Sequence, residues 1–416
     1  MIPYSTQTID TDDIKAVNRI LKSNYLTSGP NVKKFEKMIS KYTSSKYSLS
    51  FNSATSALHA SCLALGLGKG DYFWTVPNSF VSSATCGLLC GAKVDFVDID
   101  QNSNNISIKS LKEKLFKAKK NNLLPKVIIP VHLTGLPCQQ DEIWKLSKEF
   151  NFKILEDASH AFGSSYKKNI MGNCRWSDVT VFSFHPVKIF TTAEGGAITT
   201  NNKKFFKKMS IIRDNGLERN QKNFKSVSTK KWYYEHQTLG YNYRMNEIQA
   251  ALGISQIKKL KNLQIKRKKI ANIYNKVFAG NSKIELPLFE KKYVSSLHLY
   301  VIKIKKKRDN ILVSLRKKGI YTNVHYLPIH LQPFFKKLGF KTNQFPNSEK
   351  YGRERRSEIV EFEGDTEDED LIEKDEMVVS VTAGGYIKRT SLSEYRAQNR
   401  GGKGLQGMNP KEEDVV

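Results

Sequence analysis

Residues 12–22, DDIKAVNRILK, place Ile14, Val17, Ile20 and Leu21 at the three- and four-residue spacing of one helical face, behind acidic residues that suit a helix start. The TSGP that follows breaks this helix. From about residue 50 to 200 short apolar runs alternate with amphipathic stretches. In order these are a helix from Ser56 to Leu65, WTVP, a helix through CGLLC, VDFVDI, a helix around 109–119, KVIIPVH, a helix over 140–150, KILEDA, DVTVFSF and GAITT. Strands separated by helices predict a mostly parallel sheet covered on both faces, an α/β core. Ligands of such sheets collect beyond the carboxyl ends of the strands, so the residues just after each run matter most.

Residues 246–278 read as one long helix, followed by LHLYVIKI at 297–304, a helix at 309–318 and IYTNVHY, which suits a smaller α+β domain. After FPNSEK at 345–350 the character changes: GRERRSEIVEFEGDTEDEDLIEKDE is charged with little periodicity. MVVSVTAGGYIKRT then reads as a hairpin with Gly384 and Gly385 at its turn. The expected division is a large domain over 1–245, a small one over 246–350, an acidic linker over 351–376 and a β segment over 377–416.

With 416 residues, 39% hydrophobic and 26% charged, the composition is that of a folded chain with more than one core. Its longest apolar run, VIIPVHL at 127–133, is far short of a membrane span, and the N-terminal MIPYSTQTID has no leader pattern, so a cytoplasmic location is expected. The five cysteines (Cys62, Cys86, Cys90, Cys138, Cys174) are too few and odd in number for a disulfide scaffold, and reduced thiols are the simplest reading. Cys86 and Cys90 share a helical spacing that makes half a metal site, but no second pair accompanies them, so no metal is expected.

The net charge of +28 suggests a nucleic-acid protein until its distribution is examined. Residues 351–416 hold 10 Lys+Arg against 16 Asp+Glu, whereas residues 1–350 hold 58 against 24. In that first part lysine is scattered over many segments, as on a solvated surface.

Three segments carry candidate chemistry. FNSATSALHASCLAL at 51–65 runs from a strand end through small hydroxyl residues into an apolar helix, which is either a phosphate-binding helix start or an ordinary N-cap. KILEDASHAFGS puts Glu156 and Asp157 at a strand end with His160 close behind, a carboxylate placed either to pair with a cationic ring nitrogen or to cap a helix. VTVFSFHPVKIFTTAEGGAITT ends a strand at Ser183 and presents His185 and Lys188 before Gly195 and Gly196, so that Lys188 is a Schiff-base candidate.

Taken in order, NSATSAL, PNSFVSSA, EDASHAFGS, FSFHPVK, TTAEGGA and LGYNYRMNEIQAALG resemble the DegT/DnrJ family of pyridoxal-phosphate sugar aminotransferases over about residues 1–350. VHYLPIHLQP and FPNSEKY resemble the branch that makes UDP-4-amino-4,6-dideoxy-N-acetyl-β-L-altrosamine for pseudaminic acid. The resemblance implies the PLP-dependent aminotransferase fold with a mostly parallel, seven-stranded-type sheet. It implies pyridoxal 5'-phosphate as cofactor, a nucleotide-linked 4-keto sugar and an amino-acid donor, glutamate, as substrates, and a homodimer.

By the same resemblance Lys188 would hold the cofactor and move protons, and Asp157 would keep its ring nitrogen protonated. Phe80 would stack on the ring, His160 would sit near its phenolic oxygen, and Thr55, Ser56 and Ser183 would bind the phosphate. Asn242 would reach the phosphate of a neighbouring protomer. His185 is either structural or a substrate contact; His325 and His330 either approach the nucleotide sugar or pack. A related branch that dehydrates sugars carries His where this chain has Lys188, which argues against that chemistry.

The tail resembles a different family. Residues 351–416 are similar to the segment of the DNA gyrase A protein that leads into its C-terminal β-pinwheel, with QNRGGKG at 398–404 matching the gyrase box and Asn399 where a basic residue is usual. A partial pinwheel blade is implied, with Gln398, Arg400 and Lys403 as DNA-contact candidates and DNA bound weakly if at all. Both resemblances are satisfied at Lys350 and Tyr351, a seam that suggests an assembly or recombination chimera, joined at the expense of the segment that completes the small domain in the aminotransferase family.

Overall fold

The computed structural model describes residues 1–228, 230–352, 377–381 and 387–391. Chain contacts divide it into two units, Met1–Arg356 and Ser357–Val416.

The first unit is built on seven strands: β1 (Tyr47–Phe51), β2 (Tyr72–Thr75), β3 (Lys93–Phe96), β4 (Val127–Ile128), β5 (Lys153–Asp157), β6 (Val179–Ser183) and β7 (Gly196–Thr200). Their spatial order is β1-β7-β6-β5-β4-β2-β3. Pairing is parallel from β3 through β2, β4 and β5 to β6, while β7 runs antiparallel to both β6 and β1. The mostly parallel sheet is thus the one the sequence predicts.

Apart from the edge strand β3, the strands are buried beyond their first residue because both faces of the sheet are covered. Successive side chains alternate between two cores: Phe73, Val127 and Leu155 join one, and their neighbours Trp74, Ile128 and Ile154 the other. Helix α3 (Ala54–Ala64) packs against α4 (Ser82–Leu88) and α7 (Lys203–Arg213), while α5 (Ile108–Lys120) packs against α6 (Gln140–Phe150). Helices α1 (Thr11–Leu21) and α2 (Pro30–Thr43) both rest on the long α8 (Glu247–Phe278).

Two expectations need correction. The inward face of α1 is Asp13, Ala16 and Ile20, while Ile14 and Leu21 are more than half exposed. Asp13 turns inward because α8 brings Gln256 Nε2 to 2.7 Å and Lys259 Nζ to 2.9 Å of its carboxylate, so the buried charge is paired. Within 297–304 only Lys303–Ile304 forms strand, paired with Ile284–Glu285; α9 (Arg308–Lys317) follows as expected.

In the second unit Met377–Val381 pairs antiparallel with Ile387–Ser391, from Met377 opposite Ser391 to Val381 opposite Ile387. The expected turn glycines Gly384 and Gly385 lie outside the described residues, as do the DNA-contact candidates Gln398, Arg400 and Lys403.

Candidate active site

The candidate residues converge at the carboxyl ends of the central strands. Asp157 is the last residue of β5, Ser183 the last of β6, and α3 begins three residues beyond Phe51 of β1. Strand alternation separates the two adjacent carboxylates. Glu156 turns toward the face where Thr180 donates to it at 2.6 Å and where Gln140 and His132 also meet it. Asp157, 5% exposed, turns to the opposite face, where the Ser83 hydroxyl donates to Oδ2 at 2.6 Å and the backbone N–H of Ser159 to Oδ1 at 3.1 Å.

Lys188 follows β6 in a non-helical stretch. Burial pushes its ammonium down to about 8, against the pull of the Asp157 carboxylate, so the amine gives up its proton more readily than that of an ordinary lysine. Around it stand three imidazoles. His160 and His298 have ring centroids 4.4 Å apart, and both are held well below the ordinary histidine range by burial and by neighbouring charges including Lys188. His325 is pushed down to about 4 by burial and by Lys188, and it stacks on Tyr4, whose hydroxyl meets its Nε2 at 2.7 Å. These rings are uncharged at neutral pH, so they offer hydrogen bonds and shape rather than charge to whatever occupies the site.

The start of α3 is a capping box: the Ser53 hydroxyl accepts from the N–H of Ser56, and the Ser56 side chain accepts from the N–H of Ser53. The Ser56 hydroxyl proton is directed at Asn52 Oδ1, 2.6 Å away, and the Ser53 carbonyl. Its expected role as a phosphate donor is therefore corrected: the hydroxyl is committed to the cap and buried. Thr55 remains exposed, its hydroxyl 2.9 Å from that of Ser82, and the first-turn N–H groups of Ala54 and Thr55 leave the helix end unpaired within the helix. Gly196 makes the approach of β7 possible, since a Cβ there would lie 2.5 Å from the backbone nitrogen of Ala54.

Phe80 presents its ring 59% exposed. Ser183 is buried, its hydroxyl 3.5 Å from the N–H of His185, while His185 is exposed with Nε2 3.8 Å from Glu194. Asn242 is exposed, and its carbonyl lies 3.4 Å from the Asn52 side-chain amide, beside the start of α3. His330 is corrected to the packing alternative: it is fully buried against Phe345, with Nε2 3.1 Å from Glu349. Sequence reasoning missed Ser83, Tyr4 and His298. Ser83 sits inside the quoted PNSFVSSA, where its hydroxyl was a usable signal; His298 lies in a run read only as strand.

A cavity of about 710 Å³ adjoins these groups, lined among others by Tyr4, His298 and His325 and by the basic side chains of Arg267, Lys303 and Arg308. Among the described residues no group of three or more His, Cys, Asp or Glu side chains is arranged to hold a metal ion. The site fits pyridoxal phosphate: a buried carboxylate for its ring nitrogen, an amine with a lowered proton affinity, an exposed aromatic face and a helix N-terminus for its phosphate.

This combination of sheet, strand-end carboxylate and half-buried lysine defines a pyridoxal-phosphate-dependent aminotransferase, and the comparisons place it further. Residues 7–359 match the DegT/DnrJ/EryC1/StrS aminotransferase family, and the chain belongs to it. It is 39% identical over 345 residues to the UDP-4-amino-4,6-dideoxy-N-acetyl-β-L-altrosamine transaminase of Campylobacter jejuni, covering 81% of this chain and 87% of that protein. Helicobacter pylori PseC, an aminotransferase of pseudaminic acid biosynthesis, superposes with a TM-score of 0.76 at 34% identity, over 84% of this chain and 91% of that one. The PLP form of the putative sugar aminotransferase Spr1654 of Streptococcus pneumoniae gives 0.76 at 31% identity, over 85% and 92%. Residues 376–416 separately match the DNA gyrase C-terminal β-propeller domain. The chain is accordingly a PLP-dependent sugar aminotransferase carrying a gyrase-like segment.

Proposed function

We propose that the chain transfers an amino group from glutamate to the 4-keto carbon of a UDP-linked sugar, in pseudaminic acid or surface polysaccharide biosynthesis. It does so in two half-reactions, as a cytoplasmic homodimer. The observation that carries this reading is the convergence of Lys188, Asp157 and a cavity with a basic lining, which suits the diphosphate of a nucleotide sugar. The 39% identity to a transaminase of that chemistry supports the choice of sugar class.

When bound, pyridoxal phosphate supplies the electron sink that lets an amino group leave the donor and enter the acceptor. Asp157, fixed by Ser83 and Ser159, holds a proton on the ring nitrogen. Lys188 would hold the cofactor through its side-chain amine, and that amine, once free, would take up and return a proton at Nζ beside the substrate. Phe80 covers the ring face, and Thr55 with the α3 N-terminus, joined by Ser183, takes the phosphate. His160 orients the oxygen side of the ring, His185 and His325 border the substrate, and Asn242 completes the phosphate site of the other protomer.

Purified chain given pyridoxal phosphate should develop the visible absorbance of a lysine-bound cofactor, lose it on Lys188→Ala, and aminate a UDP-4-keto sugar with glutamate. A wild type that stays colourless would sink the reading. The gyrase-like segment favours a second, weaker activity: DNA retention that moderate salt abolishes, because it would rest on phosphate contacts.

A further inference from the structure

Arg267 reaches the large cavity from α8 with its charge unanswered by any carboxylate. Its Nη1 donates to the backbone carbonyls of Leu297 at 3.2 Å and of His298 at 3.0 Å, which pins the half-buried guanidinium against the segment that carries His298. Among the described residues no carboxylate lies within ion-pair distance of it, and Nε and Nη2 have no partner. Neither of those nitrogens is sealed in the protein, and the side chain lines the cavity. The other basic groups named at this wall are engaged: Lys303 Nζ lies 3.2 Å from Glu285, and Arg308 Nε 2.8 Å from Asp309.

The surroundings of Arg267 carry no charge of their own. Burial pushes the Tyr4 hydroxyl up to about 12, so it stays protonated, and the His298 and His325 rings are neutral. A guanidinium held through Nη1 and open along its Nε and Nη2 edge is prepared for a planar anion, because two parallel N–H groups match the two oxygens of a carboxylate.

The place of His298 says which carboxylate. Its ring lies 4.4 Å from that of His160, and Lys188 and Arg267 both help to keep it unprotonated, whereas Lys188 itself feels Asp157 and not Arg267. Arg267 is thus set back from the lysine, with an imidazole near both. In an amino-acid donor whose nitrogen sits at Lys188, the α-carboxylate stays beside the reacting carbon. The side-chain carboxylate of glutamate stands further out by two methylene groups, where a set-back cation can meet it.

We propose, on the transamination reading above, that Arg267 binds the side-chain carboxylate of the amino donor and makes the site selective for glutamate over donors that lack a second carboxylate. The Leu297 and His298 carbonyls fix the fork before the donor arrives, so little ordering is left to binding. A 4-keto sugar of the proposed class has no carboxylate, so the two half-reactions share Lys188 but not this contact.

The test separates those half-reactions in the holoenzyme. With donor alone and no sugar, the fading of the lysine-bound cofactor absorbance is followed against glutamate and against alanine. Arg267→Gln should lower the preference for glutamate over alanine about 10-fold or more, as loss of a hydrogen-bonded charge pair requires, and Arg267→Lys should fall between. The sugar concentration for half-maximal overall rate should not move. Phenylglyoxal labelling of the wild type, read by peptide map, follows the same contact without a variant: glutarate should protect Arg267, and butyrate should not. A preference kept in Arg267→Gln, a shift in the sugar requirement instead, or protection by UDP and not by glutarate would each overturn the proposal. A wild type that takes no amino group from glutamate overturns the donor reading itself, and this proposal with it, before any variant is made. The labelling result decides the matter where Arg267→Gln fails to fold.

Discussion

Ser83 donates its hydroxyl proton to Asp157 Oδ2 across 2.6 Å, and the Ser79 hydroxyl stands 2.8 Å behind it, all three side chains buried. A two-hydroxyl chain at the start of α4 thus ends on the carboxylate at the tip of β5 and fixes its direction. A hydrogen bond to a charged group contributes about 1.5–3 kcal/mol. Ser83→Ala should therefore weaken pyridoxal phosphate binding about 10-fold or more, with Ser83→Thr retaining most of the affinity. Equilibrium dialysis reads the difference; wild-type affinity in Ser83→Ala would show that the contact does not position Asp157.

Gly196 tests how the phosphate end is built. Because a Cβ there would meet the Ala54 nitrogen at 2.5 Å and the Ser53 carbonyl carbon at 2.6 Å, backbone rather than a side-chain tip must move. Gly196→Ala should shift the start of α3, costing about 1–3 kcal/mol of stability and loosening phosphate retention. Denaturant melts together with inorganic phosphate competition measure both. An unchanged midpoint and unchanged phosphate affinity would mean that the strand and helix can part without consequence.

The sheet and the lysine were legible because both are written locally: apolar runs of strand length, and chemistry-bearing residues immediately after them. What was hidden depends on contacts far apart in sequence. The α1 face could not be read from its own periodicity, since Asp13 is buried only because Gln256 and Lys259 arrive from α8 to meet it. Ser56 looked like a free hydroxyl until the capping geometry claimed it. His330 and His325 share one motif, yet Glu349 draws the first into the core while Tyr4 holds the second at the site.

Glu247, fully buried at the first turn of α8, performs a long-range cap. Its carboxylate accepts from the backbone N–H groups of Gly29, Asn31 and Val32 and from the Asn31 side chain, at 2.7–3.0 Å, closing the N-terminus of α2. Removing it leaves buried donors unpaired. Glu247→Ala should destabilise the protein by about 3 kcal/mol or more, and Glu247→Gln by less, since one amide oxygen can still accept. Urea unfolding of the three proteins checks the order, which would fail if Glu247→Ala matched wild type.

The half-buried Lys188 carries a stability cost that depends on pH. Lys188 titrates near 8 in the folded chain against 10.5 for an ordinary lysine, chiefly through burial, so the folded state holds its proton less tightly than the unfolded state. Below pH 8 both states are protonated and the cost is fully present; between 8 and 10.5 the folded chain is already neutral while the unfolded chain is still losing its proton, so stability rises with pH; above 10.5 the cost is gone. The shift corresponds to a cost on the order of 3 kcal/mol. Lys188→Met, which fills similar space without a charge, should therefore stabilise the cofactor-free protein at pH 7 by up to that amount, while the gain shrinks toward pH 10. Melting curves of both proteins, stripped of pyridoxal phosphate and recorded at the two pH values, measure it. A gain that is equal at both, or a loss at pH 7, would show that the ammonium is solvated in the folded chain and that burial does not poise this lysine for its chemistry.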